Sequence, residues 1–162
     1  MRLVLCFWTF LVGVSAGAQH FEIHTVNDTV SLLTLTTAGQ TDTLRLNFPV
    51  YKFCTGDLNG DGIDEALVGV VKSTRFYHIA DRRLFIFKNY DGYIRTLWRG
   101  SRVGRNLIDF KVVDDKIRCL MQMEDDNFSI ADFSLARFGL QFERFIIENA
   151  SEQDAFSSFN NE

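Results

Sequence analysis

Nine consecutive residues, Asp57-Leu58-Asn59-Gly60-Asp61-Gly62-Ile63-Asp64-Glu65, gather side-chain oxygens into one short segment. Counted from Asp57, the oxygens fall at positions 1, 3, 5 and 9. Calcium is a hard cation that takes about six to eight oxygen ligands at about 2.3–2.6 Å. Alternate residues of a tight loop can turn their oxygens toward one point. Gly62 permits the bend, the Ile63 carbonyl adds a backbone donor, and Glu65 closes the set with one or both carboxylate oxygens. Asp64 is expected to point outward. Three acids so close repel one another unless a cation neutralises them. The segment is not an EF-hand, which needs Glu where this chain has Val68 and helices where its flanks read as strands. A glycine-rich hairpin that uses Asp and Asn as turn formers is the plainer alternative.

The run Thr55-Gly56-Asp57-Leu58-Asn59-Gly60-Asp61-Gly62-Ile63-Asp64-Glu65-Ala66-Leu67-Val68-Gly69 resembles the FG-GAP/VCBS repeat, the calcium loop of integrin-α-like propellers and many bacterial exported proteins. The resemblance implies that Asp57, Asn59, Asp61, Ile63 (through its carbonyl) and Glu65 ligate a structural calcium ion between two strands of a propeller blade. This chain departs from the pattern in having Glu65 where Asp is commoner, and in carrying one copy where a closed propeller repeats its blade. At about 45 residues per blade, the chain is too short to close a ring alone. With its basic middle, the wider pattern also resembles small exported proteins of Bacteroides-type bacteria, which implies an envelope location.

Charge is segregated along the chain. Residues 72–105 hold nine Lys and Arg against Asp81 and Asp91, while the segments on either side are acidic. Arg95, Arg99, Arg102 and Arg105 lie close in sequence to Tyr90, Tyr93 and Trp98. Guanidinium groups bind carboxylates through a rigid fork of donors, and aromatic rings stack on sugar faces or on Arg itself. Arg95, Trp98, Arg99, Arg102 and Arg105 are therefore candidate ligand-binding residues for an anionic glycan or an acidic envelope protein. The alternative is a solvated face that pairs with the acidic segments of the same fold. Nucleic acid is not an expected partner for an exported chain of net charge −4.

No catalytic set stands out. His20, His24 and His78 are the only histidines, and the four-residue spacing of the first two suits a helix face in a region that reads as strand. Ser101 lies in a glycine turn without a nucleophile-elbow frame. Asp114-Asp115 and Asp125-Asp126 sit at expected turns, where a paired-carboxylate glycosidase would need spatial convergence. The chain is accordingly expected not to be an enzyme.

The elements that position these residues read as β. Alternating or apolar runs cover residues 29–36, 41–48, 51–54, 66–71, 83–88, 93–98, 107–113, 116–123, 128–135 and 140–147. Asp91-Gly92 predicts a tight hairpin. About ten strands with short turns predict an all-β antiparallel domain, propeller-blade-like or a sandwich. The polar tail from Asn149 is expected to fray.

Residues 1–18 read as a secretory signal peptide: Arg2, an apolar run from Leu3 to Val14, and small residues with Ala16 and Ala18 in the A-x-A positions. The mature chain would begin at Gln19, exported to the periplasm or beyond, with one β-rich domain over 19–162 and no membrane span. Export makes a disulfide between Cys54 and Cys119 a candidate; two buried thiols are the alternative. The sequons at Asn27, Asn127 and Asn149 matter only in a glycosylating host.

Together these readings predict a non-catalytic, calcium-binding interaction module of the cell envelope. The alternatives are an exported inhibitor or immunity protein against a wall-degrading, lysozyme-like enzyme, and a glycan hydrolase whose carboxylates meet only in the fold.

Overall fold

A computed structural model describes residues 19–75, 78–100 and 102–161; the expected leader, residues 1–18, lies outside the described residues. The fold is all-β, with eleven antiparallel strands in three sheets and one C-terminal helix. Sheet 1 joins β1 (His20–Asn27), β2 (Val30–Thr36) and β3 (Thr41–Leu46). Sheet 2 joins β4 (Val50–Gly56), β5 (Glu65–Lys72), β6 (Asp81–Tyr90) and β7 (Tyr93–Arg99). Sheet 3 joins β8 (Asn106–Val113), β9 (Lys116–Gln122), β10 (Phe128–Ala136) and β11 (Gly139–Ala150). Helix α1 spans Glu152–Asn161. Each sheet is a meander in chain order, so neighbouring strands meet across short turns.

The apolar runs of β5 and β6 decide the layering. A strand buried on both faces carries no polar alternation. Leu67, Leu84 and Ile86 pack with Phe110, Ile117, Cys119 and Phe133 of sheet 3. Their sequence neighbours Ala66, Val68, Phe85 and Phe87 pack with Phe21, Leu33 and Leu35 of sheet 1. Sheet 2 is therefore the middle layer of a linear stack, and each large side chain it buries stabilises the fold by about 1.5–3 kcal/mol. Gly69 marks the closest approach of layers: a Cβ there would stand 2.6 Å from Tyr51 Cζ and 2.8 Å from Phe110 Cε1.

The two outer faces of the stack differ. The register places His20, Glu22, His24, Leu32, Thr34, Thr36, Thr41, Thr43 and Arg45 together on the outer face of sheet 1, a largely polar surface. The outer face of sheet 3 buries Leu120, Phe128 and Ile130 against Ala155 and Phe159 of α1. No helix among the described residues is long and apolar enough to cross a membrane.

The region of His20 and His24, which reads as strand, forms β1 ahead of the ten strands counted, with Phe21 turned into the core. One feature differs from the sequence reading. The tail expected to fray from Asn149 instead forms α1. Ser151 Oγ accepts the Asp154 N–H at 3.2 Å and donates to Asp154 Oδ2 at 2.8 Å, a reciprocal cap that starts the helix. Ala155 and Phe159, one turn apart, then anchor it on sheet 3. The predicted hairpin at Asp91-Gly92 is present, with φ of 52° and 82° at its two central residues.

Candidate functional site

The Asp57–Glu65 loop joins β4 to β5. Leu58 pins it to the core between sheets 2 and 3, and the residues from Asn59 to Asp64 are exposed. Gly60 and Gly62 take φ of 76° and 80°, the left-handed bends that the alternation requires. The side chains then organise the backbone. Asp57 Oδ1 accepts the N–H of Gly60 at 2.7 Å, with Asn59 and Asp61 at 3.2 and 3.3 Å, while Oδ2 accepts Gly62 at 2.8 Å. Asn59 Oδ1 accepts Asp61 N–H at 2.9 Å, and Asp61 Oδ1 accepts Ile63 N–H at 2.8 Å. The Gly62 N–H, with those of Gly60, Asn59 and Asp61, holds the Asp57 carboxyl below the usual carboxylate range.

Glu65 behaves oppositely. It opens β5 with 2 % of its surface exposed. Its Oε2 accepts Leu58 N–H at 2.9 Å, and its Oε1 accepts the Asn59 side-chain amide at 2.9 Å. Burial pushes its carboxyl upward, and the negative charges of Asp61 and Asp57 add to the effect. Gln19 ties the loop to the sheet, donating to the Asp64 carbonyl at 2.7 Å and accepting from Asn89 at 2.9 Å.

Among the described residues, no three His, Cys, Asp or Glu side chains converge as a metal cluster. The loop's donor set is different in kind: three carboxylates, one carboxamide and one backbone carbonyl, all oxygen, with no thiolate or imidazole. That chemistry fits a hard cation and no soft one.

The five candidate ligand-binding residues divide. A bulge between Ile86 and Phe87 in the β6–β7 pairing sets Trp98 opposite Ile86 and Arg99 opposite Phe85. Trp98 thus shares the sheet-3 side of sheet 2 with Arg95, and Arg99 lies on the other side. Arg102 reaches Asp81 at 3.4 Å and Asn106 at 3.3 Å, and Arg105 pairs with Glu124. Trp98, Arg102 and Arg105 line adjoining hollows beside the segments at 102–105 and 123–127; Arg95 and Arg99 do not.

Cys54 and Cys119 share one core cluster as free thiols. They sit on facing sheets, and stacked sheets lie about 10 Å apart, whereas a disulfide needs Cα atoms about 4.4–6.8 Å apart. Burial pushes the Cys54 thiol up to about 11 and the Cys119 thiol higher still.

An ion triad centred on the buried Asp132 escaped the sequence reading. Asp132, facing Arg118 on β9 and Arg144 on β11, takes Arg118 Nε at 2.7 Å and Arg144 Nη2 at 3.1 Å. Burial raises the Asp132 carboxyl, but the two guanidinium groups outweigh it and leave it below the usual range. The signal was a charged residue inside each of three strand patterns, legible singly but not as a set.

Compared with protein-family models, curated proteins and solved structures, the chain matches none.

Proposed function

We propose that the protein is a non-catalytic, exported interaction module of the cell envelope, braced by one calcium ion in the loop between β4 and β5. The observation that supports this most is Glu65: a carboxylate almost wholly buried at the base of an oxygen-only loop, its proton affinity raised by burial and by Asp61 and Asp57. A cation removes that electrostatic cost. Asp57, Asn59, Asp61, the Ile63 carbonyl and Glu65 would hold it, tying the end of β4 to the start of β5. When bound, the ion supplies charge neutralisation and cross-bracing. Calcium suits the site better than magnesium, which demands a near-ideal octahedron and sheds water reluctantly.

The non-catalytic part of the reading rests on side-chain chemistry. His20 and His24 both face Glu22, at 3.2 and 3.1 Å, on the polar outer face of sheet 1. Cys54 is held as a thiol by burial. Titration calorimetry of the chain from Gln19 with calcium chloride tests the proposal. One site with Kd on the order of 10⁻⁴–10⁻³ M, as in extracellular modules, is expected. An absence of calcium heat at millimolar concentrations, or equal affinity for magnesium, would contradict it.

A further inference from the structure

Strand β11 forms one edge of sheet 3 and carries an aromatic pair that its own chain leaves partly uncovered. Phe142 stands opposite Phe133 and Phe145 opposite Ala131, which places both rings on the side of sheet 3 that faces sheet 2. They nevertheless remain 47 and 39 % exposed, so the middle layer does not close over this edge. Their ring centroids lie 4.9 Å apart, and Phe142 meets Phe133 edge-on at 5.9 Å, which holds the pair against the core. Exposed aromatic surface of this kind on an edge strand marks contact with another molecule.

Between the two rings lie Glu143 and Arg144, on the opposite side of the sheet. β11 spends Glu143 as an extra residue, since Phe142 pairs with Phe133 and Arg144 with Asp132. Asp132 and Ser134 alternate with Ile130, which packs against α1, so they share its face. Arg144 reaches Asp132 there, and Glu143 accepts the Ser134 hydroxyl. The bulge thus turns strict alternation into an order of inner, outer, outer, inner over residues 142–145. Glu143 is exposed and has no cationic partner among the described residues. Arg144, its side chain 67 % exposed, meets one oxygen of Asp132 through Nε and Nη2 at 3.2 and 3.1 Å, and no described residue meets its Nη1.

The run Phe142-Glu143-Arg144-Phe145 is its own complement when reversed, in ring, face and charge. That is what a surface needs to bind a copy of itself across a two-fold axis. An axis perpendicular to the sheet, passing between Glu143 and Arg144, sets Phe142 against the partner's Phe145 and Glu143 against the partner's Arg144. Each contact then occurs twice, with four rings on one side of the joined edge and two ion pairs on the other. Bulges at Glu143 and Ile146 keep the backbone from templating a regular extra strand, so the side chains select the partner. We infer that a second copy of this chain docks edge to edge on β11, with Phe142 and Phe145 as the apolar centre of the interface and Glu143–Arg144 pairs fixing its register. The inference goes beyond the interaction-module reading and stands apart from the calcium loop.

Sedimentation equilibrium of the chain from Gln19, in chelator across a dilution series, tests the inference. Wild type is expected to pass reversibly from dimer to monomer on dilution. Phe142→Ser and Glu143→Arg, neither of which touches the Asp132 triad, should each weaken the dimer by about tenfold or more. A further arm mixes two variants. Glu143→Arg leaves two cations beside the axis and Arg144→Glu leaves two anions, so each alone should associate weakly and the mixture should regain the dimer. Urea midpoints of every variant are read in parallel, so lost folding is not counted as lost docking. If Arg144→Glu does not fold, Phe142→Ser and Glu143→Arg decide alone. A monomer at every wild-type concentration, a dimer that folded Phe142→Ser or Glu143→Arg leaves unchanged, or a mixture of folded variants that does not associate would each overturn the inference. Calcium calorimetry on the same preparation reads the loop separately, so failure of the β11 interface and failure of the calcium brace are distinguishable.

Discussion

Asn59 donates its side-chain amide to Glu65 Oε1 at 2.9 Å, so the third residue of the loop caps the carboxylate that begins the next strand. This contact, with the Leu58 N–H on the other oxygen, is what the protein offers a charge that burial disfavours.

A pH dependence follows. The folded-state carboxyl of Glu65 lies above its unfolded value of 4.5, so the folded state binds the proton more tightly. Its contribution to stability is fully present below the unfolded value and is lost as pH rises through the folded one. In chelator, wild type should therefore lose stability relative to Glu65→Gln as pH rises from 4 to 7. Urea midpoints across that range check it, and parallel profiles for the two proteins would refute it.

Asp132 carries the opposite sign. Its carboxyl is depressed, so its stabilisation is present above the ordinary carboxylate range and disappears as pH falls through the lower folded value. Asp132→Asn leaves Arg118, 6 % exposed, without its buried counter-charge and should cost about 3–5 kcal/mol in urea unfolding at pH 7. Arg144→Ala removes a largely exposed partner and should cost no more than about 1 kcal/mol.

The C-terminal helix should be part of the cooperative fold. Phe159 is buried against sheet 3, its carbonyl accepts Lys111 Nζ at 2.5 Å, and the ammonium lies 4.8 Å from the ring centroid. Phe159→Ala should cost about 3–5 kcal/mol by urea unfolding, whereas a frayed tail would give no change.

The local features were legible and the spatial ones were not. The loop's bends and oxygen spacing lie within nine residues, so Gly60, Gly62, Asp57 and Glu65 announce them directly. The double-sided burial of β5 and β6 is likewise visible as unbroken apolar runs. The basic face could not be resolved, because the bulge at Ile86 and Phe87 brings Trp98 to the face of Arg95 and moves Arg99 off it, and a bulge leaves no mark in alternation. The adjoining hollows were out of reach, since Arg105, Asn127 and Asn149 in one, and Trp98 and Phe138 in the other, are brought together only by the fold. Helix α1 was misread because two anchors, Ala155 and Phe159, are few beside its polar residues.

The thiols give an independent check on the core. Cys54 has its thiol raised to about 11, and Cys119 is fully buried, so neither is a ready nucleophile. The folded chain from Gln19 should react slowly with a thiol-exchange chromophore at pH 8 and release two equivalents once unfolded. No release after unfolding would reveal a bridge.

The calcium brace is tested most directly by thermal unfolding of the chain from Gln19 in calcium and in chelator, beside Asp61→Ala. A ligand that binds the folded state alone at about 100 times its Kd adds about 2.7 kcal/mol. The account predicts a clear rise in midpoint with calcium that Asp61→Ala abolishes; no rise in millimolar calcium, or the same rise in Asp61→Ala, would contradict it.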